Sequence, residues 1–153
     1  AQLRVHRKVP HTGLAVTLDL GAPFDIHPRR KKPVAERLFL QARKVAYGET
    51  KLVAGGPIPK EFRKQANGFV ITFDNVGEGL IAKGPLKGFE LAGADGIFVG
   101  ATAEIDGNHV TVTNPDLAKP TAVRYAWAGY PPVSLYNSAG LPAPPFHHPP
   151  VQL

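Results

Sequence analysis

The chain has 153 residues, a length that suits one ordinary domain, or the end of one domain joined to a smaller second one. Hydrophobic residues make up 43% of it, which is enough for a packed core and excludes wholesale disorder. The absence of cysteine excludes disulfides and thiolate metal sites, and no apolar run is long enough to span a membrane.

Positive charge is concentrated in the first part of the chain. Residues 1–64 carry 14 basic and five acidic side chains, whereas residues 65–153 carry four basic and seven acidic ones. The basic run at residues 29–32 would suit a nucleic-acid contact, but it has no aromatic residues between its charges and directly precedes a helical pattern. A solvated helix entrance is the favoured interpretation. Neither nucleic acid nor a membrane is expected as a partner.

The first predicted unit is a strand, a loop and a helix. Residues 14–20 form a short apolar run that is typical of a buried strand in a parallel α/β sheet. A loop follows as far as Pro28. From Pro33 onward apolar residues recur at helical spacing, and Gly48 ends the predicted helix.

A strand-rich region begins after a cluster of glycine and proline at residues 55–59. Short strand patterns alternate with turn residues, and Asp106-Gly107-Asn108 is a strong hairpin signal. Phe69, Ile71 and Phe73 alternate and are expected in the core. These features predict an antiparallel β-sandwich. Its predicted strands are residues 69–73, 79–82, 89–92, 97–99, 102–105, 109–113 and 122–127.

Residues 131–153 are rich in proline, which lacks the N–H group that a sheet ladder requires. The pattern predicts an extended, polyproline-like arm outside the sheets. Such an arm is ordered only if Leu141 and Phe146 dock on the body of the protein.

The aromatic residues of the strand-rich region allow two interpretations: a carbohydrate-binding surface, or a core with a belt that packs against a catalytic domain. Alternation within residues 122–127 places Tyr125 and Trp127 on the same face, and burial is therefore favoured. The side chains concerned are Tyr125, Trp127, Tyr130 and Tyr136.

His27 is the candidate catalytic residue that the pattern singles out. It lies in the loop after the predicted strand, where open α/β sheets place their sites. Asp25 could accept a hydrogen bond from its Nδ1–H and fix the tautomer. Taken alone, a loop histidine is more often structural or solvated. The other histidines form no metal-ligand cluster in the sequence, and His147-His148 is interpreted as a solvated piece of the tail.

Several short motifs, in order and at consistent separations, resemble the sialate O-acetylesterases, a family of the SGNH hydrolase superfamily. Asp25-Ile26-His27-Pro28 resembles the last catalytic block of these enzymes, and residues 140–146 resemble their characteristic ending. The resemblance spans nearly the whole chain. The other matching stretches are residues 13–21, 36–38, 46–48, 79–83, 86–96, 123–127 and 135–137.

The resemblance implies a serine esterase, without metal or cofactor, that removes O-acetyl groups from sugars. Sialic acids are the namesake substrate, and related members act on xylan or xyloglucan. It makes His27 the general base for a serine that the family carries far upstream. The only serines here, Ser134 and Ser138, match no family motif. We therefore expect the C-terminal portion of a longer enzyme, inactive alone, whose partner is an upstream segment or separate chain with the serine.

The role of Asp25 is less firmly implied. The superfamily usually places its aspartate three residues before the histidine, and Phe24 occupies that position here. Asp25 would orient His27 from two residues away. The alternatives are a backbone carbonyl near Phe24 or a carboxylate in the missing part. Asp19, inside the predicted strand, is a weaker candidate.

Together these inferences give an α/β plus all-β fold class in three parts. Residues 1–54 would end an SGNH-type catalytic domain, residues 55–130 would form a β-sandwich-like domain completed by upstream strands if it needs them, and residues 131–153 would be a proline-rich docking tail. A polysaccharide substrate favours a periplasmic or secreted enzyme. The alternative function is a non-catalytic carbohydrate-binding β-sandwich.

Overall fold

The computed structural model describes residues 1–151. Two helices, α1 (Gln2–Lys8) and α2 (Lys31–Val45), precede a region of short antiparallel strands, and no helix within residues 1–151 is long and apolar enough to cross a membrane. The strands are β1 (Ile58–Gln65), β2 (Gly68–Asp74), β3 (Leu80–Ala82), β4 (Phe89–Ala92), β5 (Phe98–Gly100), β6 (Thr102–Asp106), β7 (His109–Thr113), β8 (Ala122–Tyr125), β9 (Leu135–Asn137) and β10 (Phe146–His148).

The predicted helix after His27 is confirmed as α2. Pro33 lies in its first turn, where the backbone N–H groups have no partner within the helix and a proline removes nothing. Beyond its end Gly48 has φ +73°, a conformation that residues with a Cβ rarely adopt. No residue of α2 is buried, so the helix lies on the outside of the described part of the chain.

The prediction of a buried strand over residues 14–20 is wrong. Most of this segment has no regular secondary structure, and Leu18–Leu20 forms a single 3-10 turn. A strand needs a neighbouring strand to satisfy its N–H and C=O groups, and within residues 1–151 none pairs with this segment. Instead, Gln41 of α2 donates from Nε2 to the carbonyl oxygens of Leu14 (3.0 Å) and Ala54 (2.7 Å).

Two four-stranded antiparallel sheets share one hydrophobic core. Their strand orders are β1-β2-β7-β6 and β10-β8-β4-β5, and β3 pairs with β9 as a separate ribbon. The predicted hairpin joins β6 to β7, with Asp106 opposite His109 and Gly107 at φ +58°. The prediction of short antiparallel strands in two layers is therefore confirmed.

Core side chains come from both sheets. Phe69, Ile71 and Phe73 are buried as predicted. Phe146 of β10 meets Phe73 edge-on, with 5.9 Å between ring centroids, and also packs against Tyr125 of β8 at 5.6 Å. Burial of one large apolar side chain contributes about 1.5–3 kcal/mol, so these rings are a main source of stability.

The sequence pattern does not predict β1, because charged residues outnumber apolar ones in it. The strand lies at the edge of its sheet and pairs with β2 alone. An edge strand tolerates charge and proline, since one row of its backbone groups faces solvent. The register is irregular between Pro59 and Glu61, as expected where proline interrupts a ladder.

The tail does not run outside the sheets, so that prediction is wrong. It contributes β9, which pairs with β3, and β10, which pairs with β8. Each strand is only three residues long, and the prolines fall before, between and after the two strands. Leu141 and Phe146 are buried, as docking requires. Residues 152–153 of the predicted tail lie outside the described residues.

Trp127 is not on the buried face predicted for it. Strand β8 ends at Tyr125, and Ala126 then adopts φ +50°, which breaks the alternation. Ala126 is buried as a result, and Trp127 is 45% exposed. Tyr125 is buried, and its hydroxyl oxygen accepts hydrogen bonds from the N–H groups of Ser134 (3.1 Å) and Leu135 (3.0 Å).

A fully buried asparagine fixes the tail against two earlier loops. Asn137 donates from Nδ2 to the carbonyl oxygens of Gly55 (2.9 Å) and Asn75 (2.7 Å), and its Oδ1 accepts from the N–H of Leu141 (3.0 Å). One side chain thus satisfies three backbone groups.

Candidate active site

The His27 loop, residues 21–30, connects the 3-10 turn to α2. The Asp25 N–H donates to the carbonyl of Ala22 (3.4 Å) across a turn with Pro23 at its second position, where the fixed φ of proline is favourable. Asp25 Oδ1 then accepts a hydrogen bond from the backbone N–H of His27 at 2.7 Å. The loop is therefore shaped by short, local contacts.

His27 and Asp25 are both exposed. Within residues 1–151 the His27 imidazole has no hydrogen-bond partner, which leaves both ring nitrogens open to a reacting group. The observed bond of Asp25 serves the backbone of His27, not its ring. The structure brings the two residues together, but orientation of the ring by Asp25 stays a prediction.

Large apolar side chains are exposed in this loop, along α2 and just after the end of α2. Phe24 and Ile26, on either side of Asp25, are almost fully accessible to solvent. Single exposed apolar side chains are ordinary, whereas dense sets are typical of surfaces that contact another protein surface. We call Phe24, Ile26, Leu38, Phe39 and Tyr47 the exposed apolar set.

An ion pair joins the two sides of the His27 loop. Arg37 donates from Nη1 to Asp19 Oδ1 (2.6 Å) and from Nη2 to Oδ2 (2.7 Å), and Nη1 also reaches the carbonyl of Val16 (2.6 Å). Burial alone would raise the pKa of Asp19, but the hydrogen bonds and the charge of Arg37 outweigh it and lower that pKa. Asp19 therefore stays ionised. The predicted site did not include this pair.

Both serine hydroxyls are hydrogen-bonded to backbone groups. Ser134 is buried, and its Oγ donates to the carbonyl of Lys87 and accepts from the N–H of the same residue, both at 2.9 Å. Ser138 Oγ accepts from the N–H of Glu78 at 2.8 Å and donates to the carbonyl of Val76 at 3.3 Å. Both hydroxyls hold loops of the strand-rich region in place.

Of the four aromatic residues that allowed two interpretations, two are buried and two are exposed. Tyr125 and Tyr136 are buried, whereas Trp127 and Tyr130 are 45% and 57% exposed. A Cβ placed on Gly21 would lie 3.9 Å from Cε2 of Tyr130, so this ring stands beside the start of the His27 loop. The structure thus brings one exposed aromatic ring of the strand-rich region next to the candidate site.

The histidine pair of the tail is not simply solvated. His148 stacks on Phe62 with 4.2 Å between ring centroids, and this burial lowers its pKa. His147 meets Trp127 edge-on at 5.4 Å. Within residues 1–151 no group of three or more His, Asp or Glu side chains is placed to hold a metal ion.

The class of protein follows from comparison with solved structures. A carbohydrate acetylesterase from Xanthomonas citri matches with a TM-score of 0.90 and 44% sequence identity, over 95% of this chain and 34% of that one. The chain therefore has the fold of one part of a carbohydrate acetylesterase. No protein-family model matches it.

Sequence comparison identifies the relatives more closely. The sialate O-acetylesterase of Mus musculus is 37% identical over 155 residues, and that of Homo sapiens is 35% identical over 161 residues. Each match covers 91% of this chain but only 28% and 29% of the relative, so the chain spans less than a third of their length. The chain is a homologue of sialate O-acetylesterases, and the resemblance noted in its motifs is confirmed.

Proposed function

We propose that this chain is the part of a serine-type carbohydrate O-acetylesterase that supplies the catalytic histidine, His27. The single observation that carries the proposal is the contrast between His27 and the two serines. The His27 imidazole is exposed and free of hydrogen bonds within residues 1–151, whereas Ser134 and Ser138 are committed to backbone groups. Homology to acetylesterases supports the reaction type.

The chemistry needs one residue from this chain. A serine outside these residues attacks the acetyl carbonyl carbon while His27 accepts the hydroxyl proton. His27 returns that proton to the departing sugar hydroxyl, which leaves an acetyl-serine. His27 then takes a proton from water as the water attacks this ester. It passes that proton to the departing serine Oγ, which releases acetate and free serine. No metal or cofactor takes part.

The serine would come from an upstream segment of the same polypeptide or from a separate chain. The exposed apolar set supports this part of the proposal, because such a surface is stabilised by burial against further protein. In this arrangement residues 1–54 end an SGNH-type catalytic domain, and the two packed sheets form its neighbour.

The proposed substrate is an O-acetylated sugar. The relatives are named for sialate and for carbohydrate acetyl esters, which supports this class. Sialic acid, xylan and xyloglucan are the candidates within it, and a polysaccharide substrate would place the enzyme in the periplasm or outside the cell.

The isolated chain is expected to hydrolyse 4-nitrophenyl acetate no faster than the same chain carrying His27→Ala plus an equimolar amount of free imidazole. The physical reason is that an imidazole without its serine offers only weak nucleophilic and base catalysis. Release of nitrophenolate gives the rate directly. Saturable turnover at about 1 s⁻¹ or more, an ordinary enzymatic rate, would show that the nucleophile lies within these residues.

A second candidate function, a sugar-binding module, is favoured by the exposure of Trp127 and Tyr130. Exposed aromatic rings offer flat apolar faces on which sugar rings can stack. Under the esterase proposal, the fluorescence of the single Trp should not change on titration of the isolated chain with xylan fragments or sialosides. Saturable quenching that Tyr130→Ala abolishes would favour the binding module instead.

A further inference from the structure

We propose that Asp19 and Arg37 are positioning residues that clamp the two ends of the His27 loop and so fix where His27 meets the serine. The inference rests on the proposed function, because it concerns how the general base is presented. We call the two residues the loop clamp.

The first argument is placement. Asp19 lies in the 3-10 turn that ends one residue before the loop, and Arg37 lies in the second turn of the helix that follows it. Their side chains therefore fix the separation of the two loop ends across 18 residues of chain. The loop itself makes only local hydrogen bonds, and nearly all of its residues are exposed.

The second argument is geometry. The Arg37 guanidinium binds both Asp19 oxygens through two parallel N–H···O bonds, the arrangement that gives the firmest orientation. The two side chains are only 11% and 16% exposed, so solvent screens the pair weakly. A third bond, from Arg37 to the Val16 carbonyl, ties the irregular segment before the 3-10 turn to the same helix.

The third argument is electrostatic, because the charge of Asp19 reaches a side chain of the strand-rich region. Burial, followed by the negative charge of Asp19, raises the pKa of the Tyr136 phenol on β9 to about 12. On the same ribbon, the ammonium group of Lys83 lies 3.8 Å from the centre of the Tyr136 ring. The charge of Asp19 therefore acts on Tyr136 of the β3–β9 ribbon as well as on Arg37 of α2.

Another ion pair on the same helix provides a matched control. Arg43 binds Glu49 with bonds of 2.8 and 2.5 Å, again through two nitrogens. These side chains are 36% and 42% exposed, and they connect the last turn of α2 to the residues just after it. The control pair has the same chemistry but does not span the His27 loop.

A general base must lie within hydrogen-bond reach of the serine hydroxyl, and a displacement of about 1 Å can cost about 100-fold in rate. Loss of positioning should therefore lower kcat and leave KM nearly unchanged, because the sugar is not bound by the clamp. The shape of the pH profile should also stay the same, since His27 still performs the reaction.

The test uses the complete enzyme with its serine. Asp19→Asn combined with Arg37→Gln replaces the ion pair by neutral amides and leaves no unpaired buried charge. We expect kcat for an acetylated sugar to fall about 10- to 100-fold, with KM within about twofold and the acidic limb of the pH profile unmoved. Arg37→Lys, which keeps the charge but not the two-pronged contact, should restore part of the rate.

Failure of the clamp and failure of the proposed function give different results. Arg43→Gln combined with Glu49→Gln should keep kcat within about twofold of the parent. An unchanged kcat in the clamp variant, or a change in KM alone, would overturn the clamp while His27→Ala remained inactive. A fully active His27→Ala enzyme would instead overturn the proposed function.

A second measurement keeps the inference testable without activity. Trypsin can cut after Arg29, Arg30 and Lys31 at the end of the loop. A loosened loop fits the active site of the protease more readily. In this chain the clamp variant should be cleaved there about tenfold faster than the parent, and the Arg43 and Glu49 variant should not. Equal cleavage rates in the folded proteins would overturn the clamp. If the double variant does not fold, the same comparison of cleavage rates is made with Asp19→Asn alone.

Discussion

Replacement of His27 by alanine in the complete enzyme is expected to lower kcat for an acetylated sugar by about 10⁴-fold, the upper end of what general acid–base catalysis supplies. The imidazole takes part in both the formation and the breakdown of the acetyl-serine, so its loss slows both steps. Its exposed position means that folding should be unaffected. Steady-state kinetics, with a thermal melt beside them, measure the two effects separately.

Two other variants sharpen this result. His11 is an exposed histidine in the same part of the chain with φ +57°, and His11→Asn keeps that backbone conformation and should leave kcat unchanged. Asp25→Asn retains an oxygen for the N–H of His27 but removes the charge. A large loss in Asp25→Asn would support orientation of the ring by Asp25. Near-normal activity of His27→Ala would remove His27 from the mechanism.

Replacement of Asn137 by alanine is expected to destabilise this chain by about 3–5 kcal/mol. The change removes the partners of the buried N–H of Leu141 and of the part-buried carbonyls of Gly55 and Asn75. Each abandoned buried group costs about 1–3 kcal/mol. The backbone beside Gly55 is tightly packed, because a Cβ on Gly56 would lie 1.8 Å from the Pro142 carbonyl oxygen. The segment therefore has little room to move and find new partners. Urea denaturation gives the free energy of unfolding.

Asn114 provides the control for this experiment. It also bonds to backbone groups through both side-chain ends, to the carbonyl of Gly100 (2.9 Å) and the N–H of Asp116 (2.9 Å), but at the surface. Water can replace those bonds, so Asn114→Ala should cost less than about 1 kcal/mol. Equal losses of unfolding free energy in the two variants would mean that burial does not determine the destabilisation at Asn137.

The sequence predicts those parts of the fold in which apolar residues alternate along a strand and turn-forming residues mark its ends. Strand β2 with its buried phenylalanines and the β6–β7 hairpin are such cases. The pattern misses β1, β9 and β10, because charge and proline are tolerated at sheet edges and in very short ladders. It also misplaces residues 14–20, since an apolar run shows burial without showing what it pairs with.

The candidate site is predicted in the same uneven way. A family motif is enough to find His27, but spacing in the sequence says nothing about an ion pair between residues 18 positions apart. One signal was present: Asp19 is a charged residue inside an apolar run, and such a residue needs a partner. Arg37 in the following helix fulfils that need from a rigid element.

The position of β10 has a consequence for how this protein is made. Phe146 completes the ring cluster around Phe73, Phe89 and Tyr125, and β10 covers the free edge of β8. A ribosome delivers residues 146–148 after the other strands described within residues 1–151. The nascent chain therefore carries an open edge on β8 and an unfilled core until then. Such intermediates are prone to pair with other chains. Closure of this fold is thus a late event in synthesis, and translation that stalls before residue 141 would yield chains that depend on chaperones to stay soluble.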